Sequence, residues 1–417
     1  MGQRLHYAWV SLGAAWLGFL SFGLIRSIYP YAVPAMQDSL QISHATMAAV
    51  ISCFFWVDMV MRISWGAVTD RLGSRLVTLL GSALLATGFF LMSTAKRVLY
   101  LSLGFAIAGA GAAALFILPT PLLSRWFGQR RRSLALGIAT TAAPLVTVLA
   151  GFIVPRILAV RPYNSIWLYT GFIVLFIFFF ELAFLVNSPG EKGLTPYGGA
   201  NGETAQPAAL GAGNPWGRAR VKGILANGIF HRIGGAYFLF GCAYTGINTF
   251  LLGYLQEVGL STVGASQLLA FTGMGNLLGS PLWGFLGGRF ARRNIFTAGM
   301  LVLALGISLL ILANQIYPLN YLAAIMYGVG AAGAIVMISA IQADYFEKNI
   351  LGTSFGFCAA CFSIASALSP IVGGAIADYT GSLQAVMFLG LLASLGSAAT
   401  IHSLSLPQRV GDKGTNP

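Results

Sequence analysis

The chain has 417 residues, of which 57% are hydrophobic and only 8% charged, with a mean hydropathy of +0.78. That is far too apolar for a water-soluble protein, so a polytopic membrane protein is expected. The net charge of +13 is spread in short clusters between apolar runs, with no solvated basic face to lie along a duplex; it is read as topological, and no nucleic acid partner is expected.

Apolar runs long enough to cross about 30 Å of hydrocarbon number twelve, at 8–36, 43–69, 76–94, 98–124, 133–156, 165–187, 224–256, 262–288, 294–314, 319–345, 350–378 and 383–405. The first is too long for a cleaved signal and lacks a small-residue cleavage site, so it is expected to remain as a helix. Within the second, Asp58 and Arg62 place opposite charges four residues apart, and its end runs into Gly66-x-x-x-Asp70-Arg71-x-Gly73-x-Arg75. Pro119 and Pro121 in the fourth run, Pro144 in the fifth and Pro370 in the eleventh fit bent helices. Between the sixth and seventh runs, a Gly-, Ala- and Pro-rich stretch reads as a mostly flexible linker. The expected divisions are therefore 1–187, a linker over 188–223, and 224–417 with a short tail.

With the N-terminus in the cytoplasm, the loops on that side carry 17 Lys and Arg residues, against four (Lys96, Arg97, Arg156, Arg161) on the other. The positive-inside rule then predicts both termini and the linker in the cytoplasm, with the chain in a cell inner membrane.

The halves read as copies. A shift of 218 lays Phe22-Gly23 on Phe240-Gly241, Asp58 on Asn276, Trp65-Gly66 on Trp283-Gly284 and Arg75 on Arg293; a shift of 219 lays Gly109 and Gly111 on Gly328 and Gly330, Phe127 on Phe346 and Gly137 on Gly356. An all-α membrane protein is expected, with twelve transmembrane helices in two six-helix pseudo-symmetric bundles and a binding site between them near the midplane.

The Gly66 to Arg75 loop, its degenerate repeat from Gly284 to Arg293, and Arg125-Trp126-Phe127 followed by Arg130 to Arg132, Ala135 and Gly137 resemble the major facilitator superfamily of transporters over essentially the whole chain. Glu191-Lys192-Gly193-Leu194-x-Pro196 is similar to bacterial organic-anion members. Leu24-Ile25-Arg26 followed by Pro34-Ala-Met36 resembles the first helix of anion:cation symporters and organophosphate antiporters, which implies an arginine at Arg26 that binds the substrate anion. Two features depart from the relatives: Tyr244 stands where organophosphate antiporters place a second arginine, and the acidic-glycine-aromatic opening of eukaryotic monocarboxylate transporters is missing before Trp9. The resemblance also implies that Gly66, Asp70, Arg71, Gly73 and Arg75 form a conformational latch.

Charges inside hydrocarbon are costly and are functional candidates by default. Arg26 would hold a carboxylate with its permanent charge and planar fork, and Asp58, beside Arg62, would bind the coupling proton. The alternative is that Asp58 and Arg62 are a permanent i, i+4 pair that only makes the helix tolerable in the bilayer. The repeat places Tyr244, Asn276 and Ser280 opposite Arg26, Asp58 and Arg62, so a cavity charged on one side and hydrogen-bonding on the other is expected, suited to an anion with a polar or hydroxylated body. Tyr29, Asn248, Tyr327, Gln267 and Gln342 are further lining candidates, each with packing as its alternative. Glu181, amid phenylalanines, is expected to snorkel or to find a local partner. His231 and Arg232 read as interfacial anchors, and His6, His44 and His402 suggest nothing specific. Cys53, Cys242, Cys358 and Cys361 lie in apolar segments and read as small hydrophobes, so no metal is expected.

No cofactor is expected, and no G-x-x-x-x-G-K-[ST] is present. The expected protein is not an enzyme but a monomeric secondary transporter, coupling protons to a small organic anion, a monocarboxylate or sugar acid, by alternating access. The alternatives are a drug:proton antiporter, an organophosphate or anion exchanger, or a membrane receptor on the same fold.

Overall fold

The computed structural model describes residues 6–198, 228–312, 317–345 and 351–404. Its helices are α1 (Tyr7–Leu40), α2 (His44–Leu72), α3 (Ser74–Thr94), α4 (Val98–Ile117), α5 (Pro119–Trp126), α6 (Gln129–Thr140), α7 (Ala142–Leu158), α8 (Asn164–Phe184), α9 (Gly228–Glu257), α10 (Thr262–Gly287), α11 (Arg292–Leu312), α12 (Tyr317–Tyr345), α13 (Leu351–Thr380) and α14 (Gln384–His402). The fourth and fifth apolar runs are each broken in two. Pro119 sits at the start of α5, where its missing N–H costs least, and Pro144 falls in the first turn of α7.

Among the described residues, eleven segments are long and apolar enough to cross a membrane. The expected twelfth is α10, a helix of 26 residues whose glycines, with Gln267, Asn276 and Pro281, dilute its hydropathy. A helix this polar is tolerated when it is covered by protein, and α10 packs on α12 and α7.

The two halves pack alike. In the first, α3 lies on α4 and α8, α2 on α4, and α1 on α7; in the second, α11 lies on α12 and α14, α10 on α12, and α9 on α13. Individual contacts repeat at the same offset. Trp65 Nε1 donates to the Ala110 carbonyl at 2.8 Å and Trp283 Nε1 to the Val329 carbonyl at 2.7 Å. Ser43 caps α2 through the Thr46 N–H, and Ser261 caps α10 through the Gly264 N–H. Gly109 lets α4 approach the backbone of α2 so closely that a Cβ there would stand 2.5 Å from the Phe54 carbonyl oxygen; at Gly328 a Cβ would collide with the Thr272 carbonyl. Gly109→Ala is accordingly expected to destabilise the protein by about 1–3 kcal/mol or more, as overpacking against backbone does. Thermal unfolding of the detergent-purified variant checks this, and an unchanged midpoint would contradict it.

Counted with α10, the membrane-length helical segments among the described residues number twelve, and an even number of passes carries both ends of the described chain to one face, the terminal face; the opposite one is the distal face. The halves meet through α2 on α13, α7 on α10 and α1 on α9. Among the described residues, the hydrogen bonds between the halves lie toward the distal side. Asp378 accepts from the His44 and Ala45 N–H groups at 3.0 and 2.8 Å, Ser52 donates to the Ala367 carbonyl at 2.6 Å, and the Tyr29 and Thr249 hydroxyls are 3.1 Å apart. Gly374 packs on the His44 carbonyl, and Gly151 on Ala270.

Asp378 thus supplies a carboxylate to the positive end of α2 across the interface. Loss of that cap, in Asp378→Ala, is expected to weaken distal closure by about 1 kcal/mol, a roughly fivefold shift toward the distal-open state. Faster labelling of a cysteine at Ser52, which is 2% exposed, by a membrane-impermeant thiol reagent would register it.

Most of the expected linker lies outside the described residues, but its opening is held in place. Pro189–Lys192 forms a 3-10 turn. Tyr197 then pairs with the chain at the α5–α6 turn, its N–H on the Trp126 carbonyl at 2.9 Å and its carbonyl taking the Gly128 N–H at 3.0 Å, with Arg131 over its ring. Flexibility was the expectation there; one tyrosine with aromatic neighbours His6, Trp9 and Phe127 suffices to dock the segment.

Candidate functional site

Asp58 is fully buried and is shared by two arginines. Arg62, one turn along α2, donates Nε to Oδ1 at 3.2 Å and Nη2 to Oδ2 at 2.8 Å. Arg26, from the middle of α1, donates Nη2 to Oδ2 at 3.3 Å. The pair expected within α2 is therefore a triad spanning two helices, with two positive charges against one negative, or one net positive charge. The arginine side chains remain 23% and 17% exposed, while the carboxylate between them is fully buried. Aromatic rings complete the surroundings: the Arg26 guanidinium lies 5.1–5.7 Å from the centroids of Phe22, Phe54 and Phe55, and that of Arg62 lies 4.0 Å from that of Phe116. Among the described residues, the buried Arg26 Nε has no hydrogen-bond partner. An N–H donor left unmade in a dry site is costly.

Facing the triad from the second half is a row of aromatic rings. Tyr237, Phe240 and Tyr244 follow one another along one stripe of α9, joined by Phe362 from α13. Tyr29, Tyr237 and Tyr244 are near enough to interact electrostatically with Arg26. Tyr237 and Phe362 were not singled out in the sequence, although Tyr237-x-x-Phe240-x-x-x-Tyr244-x-x-x-Asn248 is a legible helical spacing.

The remaining expected lining residues divide. Asn276 and Ser280 are half-buried on α10, and the Ser280 hydroxyl donates back to the Asn276 carbonyl at 2.9 Å. Tyr327 is fully buried; its hydroxyl donates to the Tyr244 carbonyl at 3.1 Å and receives the Asn248 amide at 3.1 Å, so in this state both residues brace Tyr244. Tyr29 is 3% exposed and is tied to Thr249, which makes it part of the interface between the halves. Gln267 accepts from Tyr321 at 3.1 Å, and Gln342 is buried.

Glu181 does not snorkel. It is fully buried among α1, α3 and α8, where the Ser82 hydroxyl donates to Oε2 at 2.5 Å and Gly18 makes room for Oε1. Arg232 anchors the end of α14 through the Ser403 carbonyl at 2.9 Å, and His6 caps α1 through its Nδ1.

The backbone of Gly66, Asp70 and Arg71 lies in the last turns of α2; their side chains lie outside the described residues. Gly73 adopts φ +83°, a conformation that favours glycine, and the Asn187 side-chain oxygen beside it accepts the Arg75 N–H at 2.8 Å. The Arg75 guanidinium donates to the Leu182 carbonyl at 2.9 Å, at the negative end of α8. In the second half Arg293 reaches the Leu404 carbonyl in the same manner, and Arg292 pairs with Asp344 at 2.7 Å.

A two-bundle membrane fold with a charged centre between the halves is the architecture of a carrier. The chain belongs to the Major Facilitator Superfamily, whose family model matches residues 15–276 and 233–417. A probable sulfoacetate transporter from Cupriavidus necator is 24% identical over 96% of this chain and 95% of its own length. The hexuronate transporter of Escherichia coli K12 is 25% identical over 93% and 92%. Among solved structures, a nucleoside transporter, NupG, superposes with a TM-score of 0.76 over 94% of this chain and 98% of its own, at 15% identity. The protein is a secondary transporter rather than an enzyme, similar in sequence to carriers of organic anions.

Proposed function

We propose that this protein is a proton-coupled symporter of a small organic anion, a monocarboxylate or sugar acid. In this reading the terminal face is cytoplasmic, the membrane is a cell inner membrane, the divisions are 1–187, 188–223 and 224–417, and the unit is a monomer. The distal contacts then describe a carrier closed to the outside.

The observation that carries the reading is the triad: a buried carboxylate shared by two partly exposed arginines, which leaves one net positive charge. Arg26 presents the fork for the substrate carboxylate. Asp58 competes with that carboxylate for the same guanidinium. A proton taken up by Asp58 removes the competitor and leaves Arg26 and Arg62 to the anion, which couples the two solutes. Tyr244, Asn248, Asn276, Ser280, Tyr29 and Tyr327 shape and brace the opposite wall, and the Gly66 to Arg75 loop, with Asp70 and Arg71, sets the balance between states.

A cationic drug is disfavoured by the net positive centre, and a doubly charged phosphate by the tyrosine that replaces a second clamping arginine. A thermal-shift screen of organic acids on the purified protein tests the reading, because a ligand of the native state raises its midpoint by mass action. A rise with small carboxylates, followed by their counterflow in proteoliposomes, is the expected result; intact protein with no exchange of any of them would favour a receptor on the same fold.

A further inference from the structure

We propose that Glu181 is a proton-binding site in its own right: a carboxyl held as the neutral acid inside the first half, where it packs α8 against α1 and α3. The inference stands apart from the anion reading.

Glu181 lies in the last turn of α8, on the terminal side, and is fully buried. A buried carboxylate is tolerated when a cation or several donors balance its charge. Among the described residues one donor reaches it, the Ser82 hydroxyl at 2.5 Å from Oε2, and Oε1 has no partner. The charged and titratable groups on the surrounding helices are turned elsewhere. Arg26 on α1 is held by Asp58, Arg75 on α3 by the Leu182 carbonyl, and the Tyr7 hydroxyl by the Phe184 carbonyl. Among the described residues, neither of these arginines nor Arg125 on α5 comes within ion-pair distance of Glu181.

The remaining neighbours are apolar. Gly18 leaves the space beside Oε1, which a Cβ there would approach to 3.0 Å, and the Leu118 and Leu115 side chains close on the same glycine. In such surroundings an isolated charge costs far more than a neutral acid, so the carboxyl keeps its proton. Gly18 stands about two turns before Arg26 on α1, so the contact joins α8 to the helix that carries the arginine. Ionisation would set an unbalanced charge against that helix, and the packing of the first half should loosen as pH rises.

On unfolding, the carboxyl meets water and ionises above about pH 4.3, releasing its proton. The folded state therefore loses about tenfold in its equilibrium per pH unit from there until the folded group itself ionises. Glu181→Gln, with an amide of the same shape and no charge, has no such loss.

Infrared difference spectroscopy of the purified full-length protein in lipid, wild type against Glu181→Gln at about pH 7, reads the proton directly. The expected result is a carbonyl stretch of a protonated carboxyl group that is present in the wild type and missing from the variant. The thermal midpoint of the wild type should also fall relative to that of the variant as pH is raised from about 5 to about 7. No missing band, or midpoints that run parallel, would overturn the inference. Should the glutamine variant fail to purify, Ser82→Ala reads the same group: loss of the bond to Oε2 is expected to move the band to higher frequency, and a band that stays in place would equally overturn it.

Discussion

Arg26→Lys is expected to lose most anion uptake while the protein still inserts and purifies. Lysine keeps the charge but offers a compact ammonium where the site needs a planar fork that serves Asp58 through one nitrogen while keeping another free. It would also sit less well among Phe22, Phe54 and Phe55, over which the delocalised guanidinium now lies. A hydrogen bond to a charged group is worth about 2–3 kcal/mol here, so affinity should fall about 30- to 150-fold. Uptake of labelled substrate in vesicles, beside a thermal-shift titration, checks the expectation. Near-normal uptake would remove Arg26 from the substrate site.

Asp58→Asn has the second large expected effect, and it acts in two directions. Exchange of anion across the membrane should persist, but acceleration by an inward proton gradient should vanish, because an asparagine amide does not take up a proton. The empty protein should also become less stable. Asp58 balances both Arg26 and Arg62, and removing one partner of a buried pair typically costs about 3–5 kcal/mol. A bound anion would restore part of that balance, so the stabilisation it brings should be larger in the variant than in the wild type. An unchanged pH dependence of uptake would exclude Asp58 as the proton site.

Much of the fold was legible in the sequence because the bilayer allows so few solutions. The helix count, the offset of 218 and the glycines at 109 and 328 are all consequences of packing apolar helices closely, and the structure shows the repeated contacts that the offset implies. The breaks at Leu118 and Thr141 were half visible, since proline marks where a helix can yield but not whether it does. The site was less legible. Arg62 and Asp58 share a helix face by arithmetic, but the reach of Arg26 to the same carboxylate depends on how α1 and α2 are turned toward each other. Tyr327 and Asn248 are polar residues at plausible depth, and only packing shows that they bond to each other and to Tyr244. Tyr237 and Phe362 read as ordinary membrane aromatics until α9 and α13 bring them together.

The triad also has an electrical side. Its single net positive charge lies deep in the bilayer, where a full elementary charge crossing the field is worth about 2.3 kcal/mol per 100 mV. Any displacement of the centre along the membrane normal therefore couples the carrier to the membrane potential, and in the proposed coupling a centre with a proton on Asp58 and a monoanion on the arginines carries the same single positive charge as the empty one. Voltage would then bear on the carriage of the cargo and on the return of the unloaded carrier alike.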